Sequence, residues 1–208
     1  MLDTYLKDLP LIAILRGVTP DDIVAVGRAL YDAGFRVIEI PLNSPQPFES
    51  IRRLTAELDD SCLIGAGTVL TEAQVAEVDA AGGRLIVSPN ANLAVIRASK
   101  AAGLVSAPGV ATPSEGFAAL DAGADSLKLF PAEQLGPAVV KAWRAVFPKE
   151  LALLPVGGIT PDNMGPYVAA GANGFGLGSA LYKPGLNAAQ VSANAQAFAA
   201  GWQATKGA

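Results

Sequence analysis

Five short glycine motifs set the plan of this chain. Asp32-Ala33-Gly34, Ala80-Ala81-Gly82, Ala101-Ala102-Gly103, Asp121-Ala122-Gly123 and Ala170-Gly171-Ala172 each end an amphipathic stretch just ahead of a short apolar run. Glycine after a helix supplies the left-handed residue that caps its last carbonyls. Successive glycines lie 48, 21, 20 and 48 residues apart. One strand-plus-helix unit fills about half of the longer step. Each long step therefore conceals a further unit, ending near Asp59-Asp60 and near Pro148.

The apolar runs are strand candidates: Leu11-Leu15, Arg36-Ile40, Cys62-Gly65, Arg84-Ser88, Leu104-Ser106, Ser126-Phe130, Leu151-Pro155 and Gly174-Leu177. Between them stand helix starts at Thr19-Pro20, Ser44-Pro45, Thr71-Glu72, Asn90 to Asn92, Thr112-Pro113, Gly136-Pro137 and Thr160-Pro161. A capping side chain followed by proline or an acid suits the first turn of a helix. Strict alternation of strand and helix leaves a closed (β/α)8 barrel or an open doubly wound sheet. Eight nearly equal units favour the barrel, and the chain sits at the short end of its range of about 200 to 400 residues. An open sheet usually carries a nucleotide-binding glycine loop after its first strand, whereas here Arg16-Gly17-Val18-Thr19 follows. The expectation is an α/β fold, a (β/α)8 TIM barrel in one domain over 1–208. A short helix before Pro10 should close its floor, and Ala188-Thr205 should form the eighth helix.

Composition narrows the chemistry. There are no histidines and one cysteine, Cys62. Histidine-dependent triads, imidazole acid–base catalysis and Cys/His metal sites are thereby excluded. A net charge of −4 gives no basic footprint for nucleic acid. No apolar stretch reaches membrane-spanning length, and Met1-Leu2-Asp3-Thr4-Tyr5-Leu6-Lys7-Asp8 lacks a signal-peptide apolar region. A soluble cytoplasmic protein is expected, with no metal and no cofactor.

In a barrel of this kind the active site lies where strands run into the following loops. Strand one ends at Arg16, strand two carries Glu39, strand three runs into Gly65-Ala66-Gly67-Thr68, and strand four ends at Ser88-Pro89-Asn90. Strand six carries Lys128 in the run Asp125-Ser126-Leu127-Lys128-Leu129-Phe130-Pro131. Strands seven and eight end in Gly157-Gly158 and Gly178-Ser179. Glycine-rich loops at these last two strands suit a phosphate held by backbone amides, or else Gly157-Gly158 merely shapes a tight turn. Strands two and six are opposed, so Glu39 and Lys128 can meet near the axis. They read either as a buried ion pair or as a nucleophilic lysine with a proton-shuttling carboxylate. Arg16 is a fixed cation suited to a substrate carboxylate, and Thr68 offers either a binding or a turn-capping hydroxyl. Two cations and a phosphate site suit a small keto-acid phosphate.

Gly65-Ala-Gly-Thr-Val69, Leu127-Lys-Leu-Phe-Pro-Ala-Glu133 and Val156-Gly-Gly-Ile-Thr-Pro161 resemble the 2-keto-3-deoxy-6-phosphogluconate aldolase family. Leu9-Pro-Leu-Ile-Ala-Ile-Leu-Arg-Gly17 and Ile38-Glu-Ile-Pro-Leu-Asn-Ser-Pro45 look closer to its galactonate-specific branch. Gluconate enzymes carry an arginine four residues after the glutamate, where this chain has Asn43. The resemblance implies cleavage of 2-dehydro-3-deoxy-6-phosphogalactonate to pyruvate and D-glyceraldehyde 3-phosphate. It implies Lys128 as the Schiff-base lysine and Glu39 as the acid–base residue. Arg16, Thr68, Pro89 and Phe130 would contact substrate, and Gly157, Gly158, Gly178 and Ser179 would hold its phosphate. It also implies a homotrimer. The residues alone leave open the gluconate epimer, a sugar-phosphate isomerase using Glu39 as base, and a non-catalytic sugar-phosphate sensor.

Overall fold

A computed structural model describes residues 2–206. In chain order the elements are α1 (Leu2–Leu6), β1 (Leu11–Ile14), α2 (Ile23–Asp32), β2 (Val37–Pro41), α3 (Pro47–Glu57), β3 (Leu63–Gly67), α4 (Glu72–Ala80) and β4 (Leu85–Val87). Then follow α5 (Leu93–Ala101), β5 (Val105–Ala107), β6 (Gly109–Val110), α6 (Pro113–Asp121), β7 (Ser126–Leu129) and α7 (Ala132–Trp143). The chain continues with β8 (Ala152–Pro155), α8 (Met164–Ala169), β9 (Phe175–Leu177) and α9 (Ala188–Thr205).

This is an α/β fold with a curled parallel sheet. One part runs β5-β4-β3-β2-β1-β9 and the other β6-β7-β8, with parallel pairing throughout. The fifth expected strand, Leu104-Ser106, is seen as β5, and beyond Pro108, whose ring nitrogen has no hydrogen to donate to a ladder, the chain adds β6, which is not among the expected strands. Hydrogen bonds still cross both gaps between the two parts. Asp125 N–H donates to Ser106 O at 2.9 Å and Lys128 N–H to Pro108 O at 3.0 Å. On the other side Asn173 N–H donates to Leu153 O at 3.1 Å, and Val156 bridges Gly176 in parallel.

Side-chain alternation along the strands separates two apolar clusters. Leu11, Ala13, Ile38, Ile40, Leu127 and Leu129 face the helices. Ile12, Val37, Leu63, Leu85, Val105 and Leu154 form an inner cluster on the opposite side. Leu2 and Leu6 of α1 join the inner cluster, as expected of a short helix covering one end of the sheet. The register predicted from the glycines holds. Gly34, Gly82, Gly103, Gly123 and Gly171 all have positive φ, between 75° and 104°.

Helix starts follow the capping logic in part. Thr71 with Gln74, Thr112 with Glu115, and Asn187 with Gln190 form reciprocal capping boxes. Four expected starts move. Thr19-Pro20 and Thr160-Pro161 open single turns, with Asp22 N–H donating to Thr19 O at 3.2 Å and Asn163 N–H to Thr160 O at 3.3 Å, and their helices begin only at Ile23 and Met164. The third helix begins at Pro47 rather than at Ser44-Pro45, behind a left-handed Gln46, because the Ser44 hydroxyl instead accepts from Gly17 N–H at 2.9 Å. Gly136-Pro137 lies inside α7, at a kink where Gly136 has φ 63° and ψ 171°. Gly136-Pro137 opens only the second half of that helix, and its first turn starts at Ala132.

Candidate active site

Lys128 is the third residue of β7, paired with Gly109 on one side and Leu154 on the other. Leu127 and Leu129 point to the helices, so Lys128 is turned inward. It is 7 % exposed and borders a small void lined also by Ile12, Ile14, Val87, Ala107 and Leu154. Loss of hydration there pushes its pKa below the usual lysine value, and the nearby Arg16 cation pushes the same way. The Glu39 carboxylate opposes both. The Phe130 ring centroid lies 4.9 Å from Nζ.

Glu39 comes from β2, between helix-facing Ile38 and Ile40, and borders the same void. It is 2 % exposed. Burial pushes its carboxyl from 4.5 up to about 7, against the opposing pull of Lys128 and Arg16. Its Oε2 has no hydrogen-bond partner among the described residues. Nor do the ion pairs within 4.0 Å among those residues include Glu39 or Lys128. The two groups share one apolar chamber without closing into a salt bridge.

Directly above lies a cavity of about 470 Å³. Its wall includes Arg16, Thr68, Pro89, Lys128, Phe130, Gly157, Gly158, Gly178 and Ser179. Nine of the ten residues expected at the site therefore border one cavity. Glu39 does not line it and sits in the adjoining chamber, reached past Lys128. Arg16 Nη1 donates to Asn43 Oδ1 at 2.5 Å and approaches Thr68 Oγ1 at 3.5 Å. These contacts hold the Arg16 side chain at the wall of the cavity that Lys128 also lines.

The far wall is the pair of glycine turns. Gly157 and Gly158 both take positive φ, 112° and 66°. A side chain on Gly158 would meet Glu133 Cγ at 2.4 Å. Asn163 braces the turn, donating from Nδ2 to Gly158 O at 2.7 Å and accepting from Thr160 N–H at 2.9 Å. The Gly158 and Ser179 amides donate to no protein acceptor among the described residues. Unengaged amides on a glycine turn form a concave nest for an anion.

The family profile described as KDPG and KHG aldolase matches residues 2–196. A 2-dehydro-3-deoxy-6-phosphogalactonate aldolase of Escherichia coli is 48% identical over 190 residues, 91% of this chain and 93% of that protein. The chain belongs to the KDPG and KHG aldolase family. A solved structure described as native KDPGal matches with a TM-score of 0.94 at 46% identity, covering 96% of this chain and 97% of the other. A KDPG aldolase from Legionella pneumophila, solved with pyruvate captured as a covalent carbinolamine, matches with a TM-score of 0.82 at 28% identity. That match covers 99% of this chain and 98% of the other.

Three features of this site are absent from the sequence reading. Gly67 is one: a Cβ there would stand 1.9 Å from Glu39 Oε2, so only glycine leaves room for the carboxylate. Thr68 is another, since it carries φ 57°, a left-handed conformation that is a true outlier for a β-branched residue. Third, Asn43 holds Arg16 directly. The Gly65-Ala66-Gly67-Thr68 motif signals a tight approach, but not which side chain it accommodates.

Proposed function

We propose that this chain is a class I aldolase that cleaves 2-dehydro-3-deoxy-6-phosphogalactonate to pyruvate and D-glyceraldehyde 3-phosphate. One observation carries the reading. A buried lysine of lowered pKa and a buried carboxyl near 7 share an apolar chamber without pairing. A lysine relieved of its proton is a nucleophile towards a carbonyl carbon. A carboxyl titrating near neutrality can both take and return a proton.

The steps follow from those two groups. Neutral Lys128 attacks the C2 ketone through Nζ, and the resulting carbinolamine takes a proton from Glu39 on its hydroxyl and loses water to give a protonated imine. Glu39 takes the proton of the C4 hydroxyl as the C3–C4 bond breaks. The bonding electrons pass into the iminium, leaving an enamine on Lys128 and releasing glyceraldehyde 3-phosphate. Glu39 returns its proton to C3 of the enamine. Water then adds to the imine carbon and Glu39 takes the proton released, freeing pyruvate and neutral lysine. Arg16, steadied by Asn43 and close to Thr68, pairs with the substrate carboxylate. Pro89 and Phe130 flank the keto-acid end. The amides of Gly157, Gly158, Gly178 and Ser179 receive the phosphate.

The choice of substrate rests on likeness. The Escherichia coli galactonate-named relative is 48% identical over 190 residues, whereas a gluconate-named relative from Pseudoalteromonas atlantica is 36% identical over 149. Asn43 in place of an arginine supports the same choice. We also read the two parts of the sheet as one closed eight-stranded barrel in a single domain over 1–208, supported by the hydrogen bonds across both gaps. A homotrimer in the cytoplasm, working with no cofactor, completes the reading. No helix among the described residues is long and apolar enough to cross a membrane.

Cleavage of the two C4 epimers, each followed by pyruvate release, tests the substrate. The galactonate epimer should have the higher kcat/KM. Equal values, or a preference for the gluconate epimer, would overturn the assignment.

A further inference from the structure

Charge around the cavity is uneven in a way that the nine expected wall residues do not resolve. Arg16 and Lys128 stand at the keto-acid end. The glycine turns at the other end offer dipoles and a hydroxyl, and the nearest ionisable neighbour on that wall is the acidic Glu133. A phosphate dianion beside a carboxylate calls for a cation to offset the repulsion.

Lys183 also borders the cavity. It lies four residues beyond Ser179, in a segment held from several sides. Tyr182 N–H donates to Gly178 O at 3.0 Å, and Leu186 N–H donates to Lys183 O at 3.1 Å. Pro184 packs against the first loop so closely that a Cβ on Gly17 would stand 2.6 Å from its Cγ. The Lys183 backbone is thus fixed between the Gly178-Ser179 turn and the Arg16 loop. Its side chain is exposed at the rim, and the ion pairs within 4.0 Å among the described residues do not include it. An exposed ammonium on a fixed backbone beside an amide nest is well suited to meet a phosphate.

We propose that Lys183 is a phosphate-binding residue that supplies the cation the glycine turns lack. This rests on the aldolase reading above, in which the far end of the cavity receives the substrate phosphate. The ammonium adds to the backbone amides rather than replacing them, and it offsets Glu133. Because the group is exposed, its effect should weaken as salt rises.

The test compares 2-dehydro-3-deoxy-6-phosphogalactonate with its unphosphorylated counterpart in the wild type, Lys183→Ala and Lys183→Arg. Lys183→Ala should lower the ratio of kcat/KM for the phosphorylated over the unphosphorylated substrate by about tenfold, mostly through KM. Competition by inorganic phosphate should weaken in parallel, and Lys183→Arg should recover most of both. An equal loss on both substrates, or an unchanged ratio, would overturn the proposal. A wild-type protein that cleaves neither substrate would instead overturn the aldolase reading, leaving the two failures distinct.

Discussion

Glu39→Gln should make the protein more stable towards alkaline pH while removing its activity. The substitution keeps the shape of the side chain and deletes its charge. Burial raises the Glu39 carboxyl from 4.5 to about 7, so the folded state holds that proton more tightly than the unfolded state. A group of this kind contributes stability that is fully present below the unfolded value and lost as pH rises through the folded one. The whole shift corresponds to about 3 kcal/mol. Between pH 5.5 and 8.5, clear of the sequence pI of 4.8, the share lost by the wild type is about 2 kcal/mol. Glu39→Gln has no such group to titrate. Removing the carboxylate also deprives Lys128 of the charge that holds its pKa up, and a further lowered lysine adds stability as pH rises. Both effects favour the variant at higher pH. Urea unfolding followed by fluorescence of the buried Trp143 and Trp202 gives the two stabilities at each pH. The difference should move in favour of Glu39→Gln by about 2 kcal/mol across the range. A difference that stays constant to within about 0.5 kcal/mol, or moves the other way, would refute the placement of a costly buried charge.

Other outcomes follow from the same contacts. Gly67→Ala puts a methyl into the space of the Glu39 carboxylate, so kcat should fall about a hundredfold; wild-type turnover would show that the carboxylate can work from another position. Thr68→Gly relieves a left-handed threonine, so urea unfolding should show no more than about 1 kcal/mol of lost stability, while KM rises with loss of the hydroxyl beside Arg16. A larger loss of stability would mean that the conformation is not strained. The kcat/KM profile of the wild type should climb as pH passes about 7, where Glu39 becomes able to accept a proton. A flat profile from pH 6 to 8 would assign that step to another group.

Much of the scaffold can be read from local patterns, because its punctuation is local. A glycine that ends a helix needs a left-handed residue whatever surrounds it, and all five stop glycines adopt that conformation. The inward turn of Lys128 follows from strand alternation once Leu127 and Leu129 are assigned to the helix side. The zero histidine count narrows the chemistry without any structure. The features missed depend on contacts between distant segments. The short β6 beyond Pro108 forms because β7 arrives to pair with it. Gly136-Pro137 resembles a helix start and is one, but the preceding turn is positioned by Ala132 N–H donating to Val156 O at 2.8 Å. Gly67 matters because Glu39 arrives from another strand, and Asn43 because Arg16 does. That Glu39 and Lys128 share a chamber without pairing requires distances that no sequence pattern contains.

Reductive trapping at Lys128 tests the central claim most directly. The wild-type protein incubated with pyruvate and borohydride should gain the mass of one reduced pyruvate adduct, located by peptide mapping to Lys128. Lys128→Arg, whose guanidinium stays charged, should gain none and should lose cleavage activity. An unlabelled wild type, an adduct on another lysine, or an active Lys128→Arg protein would contradict the account.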